Sequence, residues 1–440
     1  MDFSFPTQPL AKCAKFLSGG TPSKSNPRFW GGNIPWITPK DMSDWNGTTA
    51  DCVTNEAIGN GTRLTPAWTS YVAVRGMSLH NEIRVIRPSF AAAFNQDIKA
   101  IQALDGVEGR FLYYCLVAHK RTLLERVESA GHGTGRLPTD QLENLPIPVV
   151  DRDVAVSIAK ILGDLDDKID LLRAMNGTLE ETARTLFRAW FVDFAPIRAK
   201  IAGAPSFQGM PEALFETLPD SFEPSKVGEV PKGWQVKPIG EMADCVGGST
   251  PSTANPEFWD SGENPFCTPK DMSSLNSAVL LDTERHITLA GVQRISSGVL
   301  PIGTVLLSSR APIGYIAINH APVSVNQGII AMKPTVLPTE YLRFWLEFNM
   351  NTIKSNAGGT TFAEISKSKF RPICAVRPPE NLLAAFSDFS TPIFGRIASN
   401  EMERAKLTAL RDTLLPKLIS GELQAPSLAA LDMEEMRDGG

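Results

Sequence analysis

Long apolar runs are missing from this chain of 440 residues. No stretch approaches the roughly 20 consecutive apolar residues that cross a bilayer, and Met1 to Leu17 lacks the charged, apolar and small-residue succession of a signal peptide. A cytoplasmic protein without a membrane partner is expected. Paired cysteines are missing too. Cys13, Cys52, Cys115, Cys245, Cys267 and Cys374 are scattered with no CxxC, which excludes a disulfide framework and zinc-ribbon spacing and leaves buried free thiols. Positive charge is short: 43 Lys and Arg stand against 48 Asp and Glu, a net of -5. A nucleic-acid face on such a chain must be a local patch.

Catalytic signatures are absent as well. The segment Gly19 to Ser25 has no glycine before its lysine, as a phosphate-cradling P-loop requires, so it reads as a turn. Asn26-Pro27-Arg28-Phe29 and Asn255-Pro256-Glu257-Phe258 resemble the base-holding Asn-Pro-Pro-aromatic element of adenine methyltransferases but lack its second proline. No glycine-rich strand-to-helix loop is present to hold S-adenosylmethionine. His80, His119, His132, His286 and His320 have no metal-ligand spacing, and no paired-carboxylate nuclease pattern occurs. The chain is expected to be non-catalytic and to bind no metal or cofactor.

What is present is a duplication. Gly19 to Met42, GGTPSKSNPRFWGGNIPWITPKDM, returns as Gly248 to Met272, GSTPSTANPEFWDSGENPFCTPKDM, with one residue added. Further on, VAVRGMSLH with Asn95-Gln96 corresponds to LLSSRAPIG with Asn326-Gln327. A Gly/Thr loop leading to a Pro-Ile strand then occurs from Ala130 and again from Ala357. Between these landmarks, short strand-like runs alternate with Gly, Pro and Asn turns, and helical stretches lie near Gly109 to Val127 and Thr339 to Ile353. Each block is read as α+β with a curved, mainly antiparallel sheet.

A long helix follows each block. In the first, Ile158, Leu162, Leu165, Ile169, Leu172, Asn176, Leu179, Ala183, Leu186 and Trp190 keep the alternating four-three spacing of a coiled-coil seam. The second seam is more polar: Phe386, Ser390, Ile393, Ile397, Asn400, Arg404, Leu407, Arg411, Leu414 and Leu418, with Leu410 and Leu415 alongside. Asn176 at a seam position fixes register, and Pro416 should end or bend the second helix. The fold class is therefore α+β, built of two tandem units, each a globular domain followed by a long helix. The boundaries read as 1-150 for the first domain, 151-194 for its helix and 195-233 for a surface-hugging connector. They continue as 234-377 for the second domain, 378-423 for its helix and 424-440 for a tail.

Candidate DNA contacts come from the repeated motifs. Pro39 and Pro269 hold Lys40 and Lys270 at strand exits, where a lysine suits phosphate; Asp41 and Asp271 either cap the turn or accept from a cytosine amino group. Arg75 and Arg310 follow apolar strands and can aim a guanidinium at guanine or phosphate, or stand solvated. The loops offer Gly133, Thr134 and Arg136 in one copy and Gly359, Thr360, Lys367 and Lys369 in the other. The two Asn-Gln pairs suit either adenine readout or a structural amide bond, and the Phe-Trp pairs suit the core.

Taken together, these landmarks, the helices KIDLLRAMNGTLEETARTLFRAWFVDF and LTALRDTLLPKLISGEL, and the connector FVDFAPIRAK…LPDSF…VGEVPKGW resemble the specificity subunits of type I restriction-modification systems, up to about Leu423. The departure is MDFSFPTQPLAKCAKFLSGG at the start, where no IPKGW-like lead-in stands. The resemblance implies that each block is a target-recognition domain reading half of a split double-stranded DNA sequence. It implies that the helices form an antiparallel spacer and dock two methyltransferase subunits, joined by restriction subunits that carry the motor and nuclease. S-adenosylmethionine, ATP and Mg are then expected on those partners. A seam from Ile158 to Trp190 spans roughly 50 Å at 1.5 Å per residue, compatible with half-sites about one DNA turn apart. The alternative is a scaffold whose duplicated domains bind protein or carbohydrate.

Overall fold

The computed structural model describes residues 4–43, 45–130, 133–359 and 363–427. It falls into two compact units, Met1–Lys168 with Leu407–Gly440, and Ile169–Lys406, so the division runs inside both long helices. Among the described residues no helix is long and apolar enough to cross a membrane.

In the first unit, β1 (Thr7–Pro9) pairs with β13 (Pro146–Pro148). A four-stranded antiparallel sheet has the order β2 (Ala14–Ser18), β10 (Ile98–Ala103), β6 (Ser70–Ala73) and β8 (Val85–Ile86). A second runs β4 (Asp51–Val53), β3 (Trp30–Ile37), β9 (Ala92–Phe94) and β5 (Leu64–Thr65). A third joins β11 (Glu128–Ala130), β12 (Thr134–Arg136) and β7 (Arg75–Gly76). Helices α1 (Gly109–Ala118), α2 (Lys120–Glu125) and α3 (Thr139–Glu143) complete the domain before α4 (Arg152–Phe187). Leu10, Phe111, Leu116, Leu123 and Leu142 form one core with Ile158 and Leu162 of α4 and with Leu418 and Ile419.

The second unit begins within α4, which continues as a π-helical turn over Arg188–Val192. Next come α5 (Ala195–Ile201), α6 (Glu212–Glu216) and the hairpin β14 (Phe222–Ser225) with β15 (Gly228–Pro231). The expected surface connector is thus folded, and Phe194, Ile197, Met210, Leu214, Phe215 and Leu218 lie in the core. Their apolar area overrides the lack of periodicity. Lys200 Nζ staples the segment by donating to the carbonyls of Glu216 at 2.7 Å and Leu218 at 2.6 Å.

Strand β16 (Gln235–Pro238) pairs with β25 (Cys374–Arg377), as β1 pairs with β13. The main sheet has the order β17 (Ala243–Gly247), β24 (Ile329–Pro334), β21 (Val305–Ser308), β22 (Ile316–Asn319), β19 (Val279–Leu280). A smaller sheet runs β20 (His286–Ile287), β18 (Asn264–Cys267), β23 (Ser324–Val325). Helices α7 (Pro269–Ser273), α8 (Leu289–Val292), α9 (Thr339–Phe348), α10 (Met350–Ser355) and α11 (Lys367–Phe370) surround them, and α12 (Glu380–Ser420) closes the chain's order. Phe187, Trp190, Phe191, Tyr341, Phe344, Phe386 and Phe394 pack into an aromatic core.

In both units the long helices pair antiparallel. Arg411 Nη1 donates to Asp166 at 2.8 Å in the first; in the second Asn176 Nδ2 donates to Glu401 at 2.8 Å while Asn176 Oδ1 accepts from Asn400 Nδ2 at 2.8 Å. Asn176, Asn400 and Glu401 are all buried, and Arg404 holds the other oxygen of Glu401 at 2.6 Å, so one polar lock replaces a seam leucine. Ile158, Leu162, Ile169, Leu172, Trp190 and Ile397 are buried; Leu165, Leu179, Leu186, Ile393, Leu407 and Leu414 are half-buried. Beside Leu186 it is Phe187 that fills the core. Two expectations change. Leu410 is 47% exposed rather than alongside the seam. Pro416 does not stop α12, which continues to Ser420, because a proline in the last turn removes only one hydrogen bond near an end that is already underbonded.

Gly163, inside α4, would cost about 1 kcal/mol relative to alanine in an isolated helix. Its reason is local: Arg110 Nη2 donates to the Gly163 carbonyl at 3.0 Å, and a Cβ there would stand 2.3 Å from the Arg110 guanidinium carbon. Cys13, Cys115, Cys245 and Cys267 are buried free thiols, but Cys52 and Cys374 are only half-buried.

Candidate nucleic-acid interface

The repeated motifs meet in one knot per domain. Strands β3 and β9 run parallel with Ile37 opposite Phe94, and β18 and β23 run parallel with Cys267 opposite Val325. One residue beyond, Asn95 N donates to the Ile37 carbonyl at 3.0 Å and Asn326 N to the Cys267 carbonyl at 3.1 Å. Thr21 Oγ1 then donates to Gln96 at 2.7 Å, and Thr250 Oγ1 to Gln327 at 2.6 Å. Asn95 and Asn326 each accept from the backbone N–H two residues on, at 3.0 and 2.9 Å. The oxygens of these amides are therefore occupied in holding the loops.

The Phe-Trp elements repeat to the atom. Trp30 Nε1 donates to the Ser23 carbonyl at 3.1 Å and Trp259 Nε1 to that of Ser252 at 3.0 Å. Trp30 meets Trp36 edge-on at 5.1 Å, and Trp259 meets Phe266 edge-on at 5.1 Å. Gly19 and Gly248 sit where a Cβ would fall 2.2 Å from the Phe94 oxygen and 1.6 Å from the Val325 oxygen, which explains the leading glycine of each motif.

At the strand exits, Asp41 accepts from Thr38 N and Oγ1 at 2.8 and 2.5 Å and from Ala50 N at 2.9 Å. Asp271 accepts from Thr268 N and Oγ1 at 2.8 and 2.6 Å and from Glu284 N at 2.9 Å. Both carboxylates serve as turn caps, the use that satisfies the otherwise orphaned N–H groups. Lys40 and Lys270 are left exposed beside them. Lys270 Nζ pairs with Glu284 at 2.7 Å, and that hydrogen bond raises its pKa above the ordinary lysine value.

The arginines stand at a second edge. Arg75 in β7 and Arg136 in β12 are exposed and directly opposite each other. Gly133 begins this hairpin with φ +73°, and His80 Nε2 bonds its carbonyl at 2.9 Å; Thr134 is half-buried. In the second domain the equivalent bridge sets Arg310 against Glu364, with Arg310 Nη1 3.9 Å from its carboxylate. An open cavity of about 790 Å³ lies there, lined by Arg310, Ala311, Pro312, Ile313, Lys354, Ala363 and Glu364. Gly359 has φ +99°, while Thr360 lies outside the described residues. Lys367 and Lys369 on α11 are exposed, and their ammonium groups lie 3.2 Å from where a Cβ on Gly247 and on Gly358 would stand. Sequence reasoning missed Glu284 and Glu364, because a charge placed opposite by strand register has no signature of its own.

A family model described as the type I restriction modification DNA specificity domain matches residues 10–181 and 231–374, one match on each repeat. The chain belongs to this family. Among curated relatives, the HindI specificity subunit of Haemophilus influenzae is 29% identical over 356 residues, covering 71% of this chain and 77% of that one. The MjaIX specificity subunit of Methanocaldococcus jannaschii is 25% identical over 427 residues, covering 93% and 91%. The crystal structure of a type I S subunit from M. genitalium shares the fold at TM-score 0.54, covering 95% of this chain and 96% of that one at 16% identity. Target recognition on DNA is the function of this specificity-domain family, whose subunits are generally non-catalytic. Nothing in these matches favours the protein- or carbohydrate-binding scaffold.

Proposed function

We propose that each repeat of this specificity subunit reads one half of a bipartite target and that the long helices set the number of base pairs left unread between the halves. The reading rests on one observation: the same knot occurs twice, and each copy carries a lysine at a strand exit and an arginine at a sheet edge. Two methyltransferase subunits dock on the helices, restriction subunits join them, and the complex works in the cytoplasm. S-adenosylmethionine, ATP and Mg belong to those partners, and this chain supplies only address. Its net charge of -5 makes the isolated subunit a weak binder that depends on its partners to close around the duplex.

The test is the methylome of a host carrying the full system, with seven residues inserted into each long helix at equivalent positions of the seam. The expected outcome is a changed gap between unchanged half-sites. An unchanged gap with altered half-sites would overturn the proposal, as would tight specific binding by the subunit alone in physiological salt for the weak-binder clause.

A further inference from the structure

Two like charges directly opposite each other on neighbouring strands repel, and a fold keeps such a pair only with compensation. Arg75 and Arg136 are such a pair, on the exposed side of the β7–β12 ladder. Cross-strand partners point to one face, about 5 Å apart at Cβ. Among the described residues neither guanidinium has an ion-pair partner. Glu128 stands directly opposite Arg136 on its other side, in β11, but forms no ion pair with it, so the row Glu128–Arg136–Arg75 keeps one net positive charge where the second domain's Arg310–Glu364 rung keeps none. The next rung down is Gly135 opposite Gly76, and a Cβ on Gly135 would sit 2.8 Å from the Cβ of Leu79. The ladder is therefore pressed onto the core immediately beside the arginines, and the His80 bond to Gly133 anchors the residue that leads into β12. The pair is held rather than free to swing apart.

The second domain treats the same rung differently. Its arginine, Arg310, faces Glu364, so the rung is neutral and closed upon itself.

We infer that Arg75 and Arg136 form a two-pronged seat for one phosphate of the DNA backbone, and that the second domain lacks this seat because Glu364 occupies its arginine. This inference rests on the DNA-reading function proposed above and names a phosphate contact within it. A phosphate fits because it brings the negative charge that two opposed guanidinium groups lack, and each guanidinium can donate two bonds to its oxygens. A guanine edge accepts from one guanidinium and leaves the other uncompensated. The two half-sites are then gripped unequally: the first by charge, the second by shape and neutral contacts until Glu364 is displaced.

The experiment uses the full chain assembled with its methyltransferase subunits. The probes are a duplex carrying the split target read from the methylome and duplexes with either half scrambled. Affinity is followed as salt is raised. Arg75→Ala and Arg136→Ala should each weaken binding about tenfold on every probe and lower the slope of log affinity against log salt by about one. Arg136→Lys should keep the slope. Arg310→Ala should change it by less than half as much, and Glu364→Gln should steepen it. Loss confined to probes altered at one base pair would show guanine readout and overturn the phosphate seat, as would an unchanged slope or an equal effect of Arg310→Ala. If the unaltered complex protects no split site, the function itself fails; a split footprint with an unaffected Arg136→Ala slope fails only the seat. Thermal unfolding of the two alanine variants should match or slightly exceed the parent, since each removes a repulsion.

Discussion

The two domains agree in their knots and differ at their edges, and the difference separates scaffolding from reading. In the knots, hydrogen bonds agree to within a few tenths of an ångström between copies: Thr21 with Gln96 at 2.7 Å and Thr250 with Gln327 at 2.6 Å, Trp30 at 3.1 Å and Trp259 at 3.0 Å. At the edges the same rungs carry different chemistry: Arg75 against Arg136, but Arg310 against Glu364; Lys40 with no ion pair among the described residues, but Lys270 paired with Glu284. A duplicated reader must keep the shape that presents its edge, while each edge is free to suit its own half-site. The units also differ inside. The first joins α4 to α1 through Arg110–Asp167 and Tyr114–Asp166 and to α12 through Arg411–Asp166, the second through clustered aromatics and the buried Arg343, which bridges Glu180 and Glu347.

The sharpest way to break this comparison is to crowd the knot. Gly248→Ala and Gly19→Ala each force a Cβ into a backbone oxygen, at 1.6 and 2.2 Å, and should cost more than about 3 kcal/mol in chemical denaturation. A loss below 1 kcal/mol would show that the knot yields and is not the common scaffold. Next, Arg343→Met leaves Glu180 and Glu347 with Arg184 alone and should destabilise by about 3 kcal/mol; Arg411→Met, at a rung 25% exposed, should cost about 1 kcal/mol. Equal effects would remove the contrast between the two interiors.

Asn176→Ala strips the buried lock of its centre and leaves the Asn400 amide and one Glu401 oxygen without that partner, a loss of about 2 kcal/mol by thermal unfolding. A neutral result would mean that water replaces the amide. The smallest effect concerns pH. Burial raises the Glu340 carboxyl above its ordinary value, opposed by the bond from Thr391 Oγ1 at 3.0 Å. Folding thus favours its protonated form. That contribution is fully present below the unfolded value of about 4.3 and is lost as pH rises through the raised folded value. Glu340→Gln should therefore match the parent at acid pH and exceed it slightly at neutral pH. A parent curve with the opposite slope in this window would contradict the assignment.

Much of the architecture was legible in the residues. The duplicated GGTPS and GSTPS motifs placed two like domains, and the four-three spacing from Ile158 to Trp190 placed a paired helix, because repetition and periodicity are properties of the chain itself. The connector was not legible. Phe194, Ile197, Leu214 and Phe215 keep no regular spacing and are buried by a core assembled from distant elements. Of the candidate contacts, Asp41 and Asp271 carried two readings that sequence left open, and only the positions of the Ala50 and Glu284 N–H groups show their oxygens in use as caps.

By itself, the sequence determined that two copies of one reader are joined by helices able to pair, since hydrophobic period and duplicated motif need no folding to be seen. Tertiary structure alone decided which charges remain available to DNA. Whether an arginine faces a second arginine, as Arg75 does, or a glutamate, as Arg310 does, depends on strand register between segments far apart in the chain, and Coulomb interactions depend on distance in space rather than along the sequence.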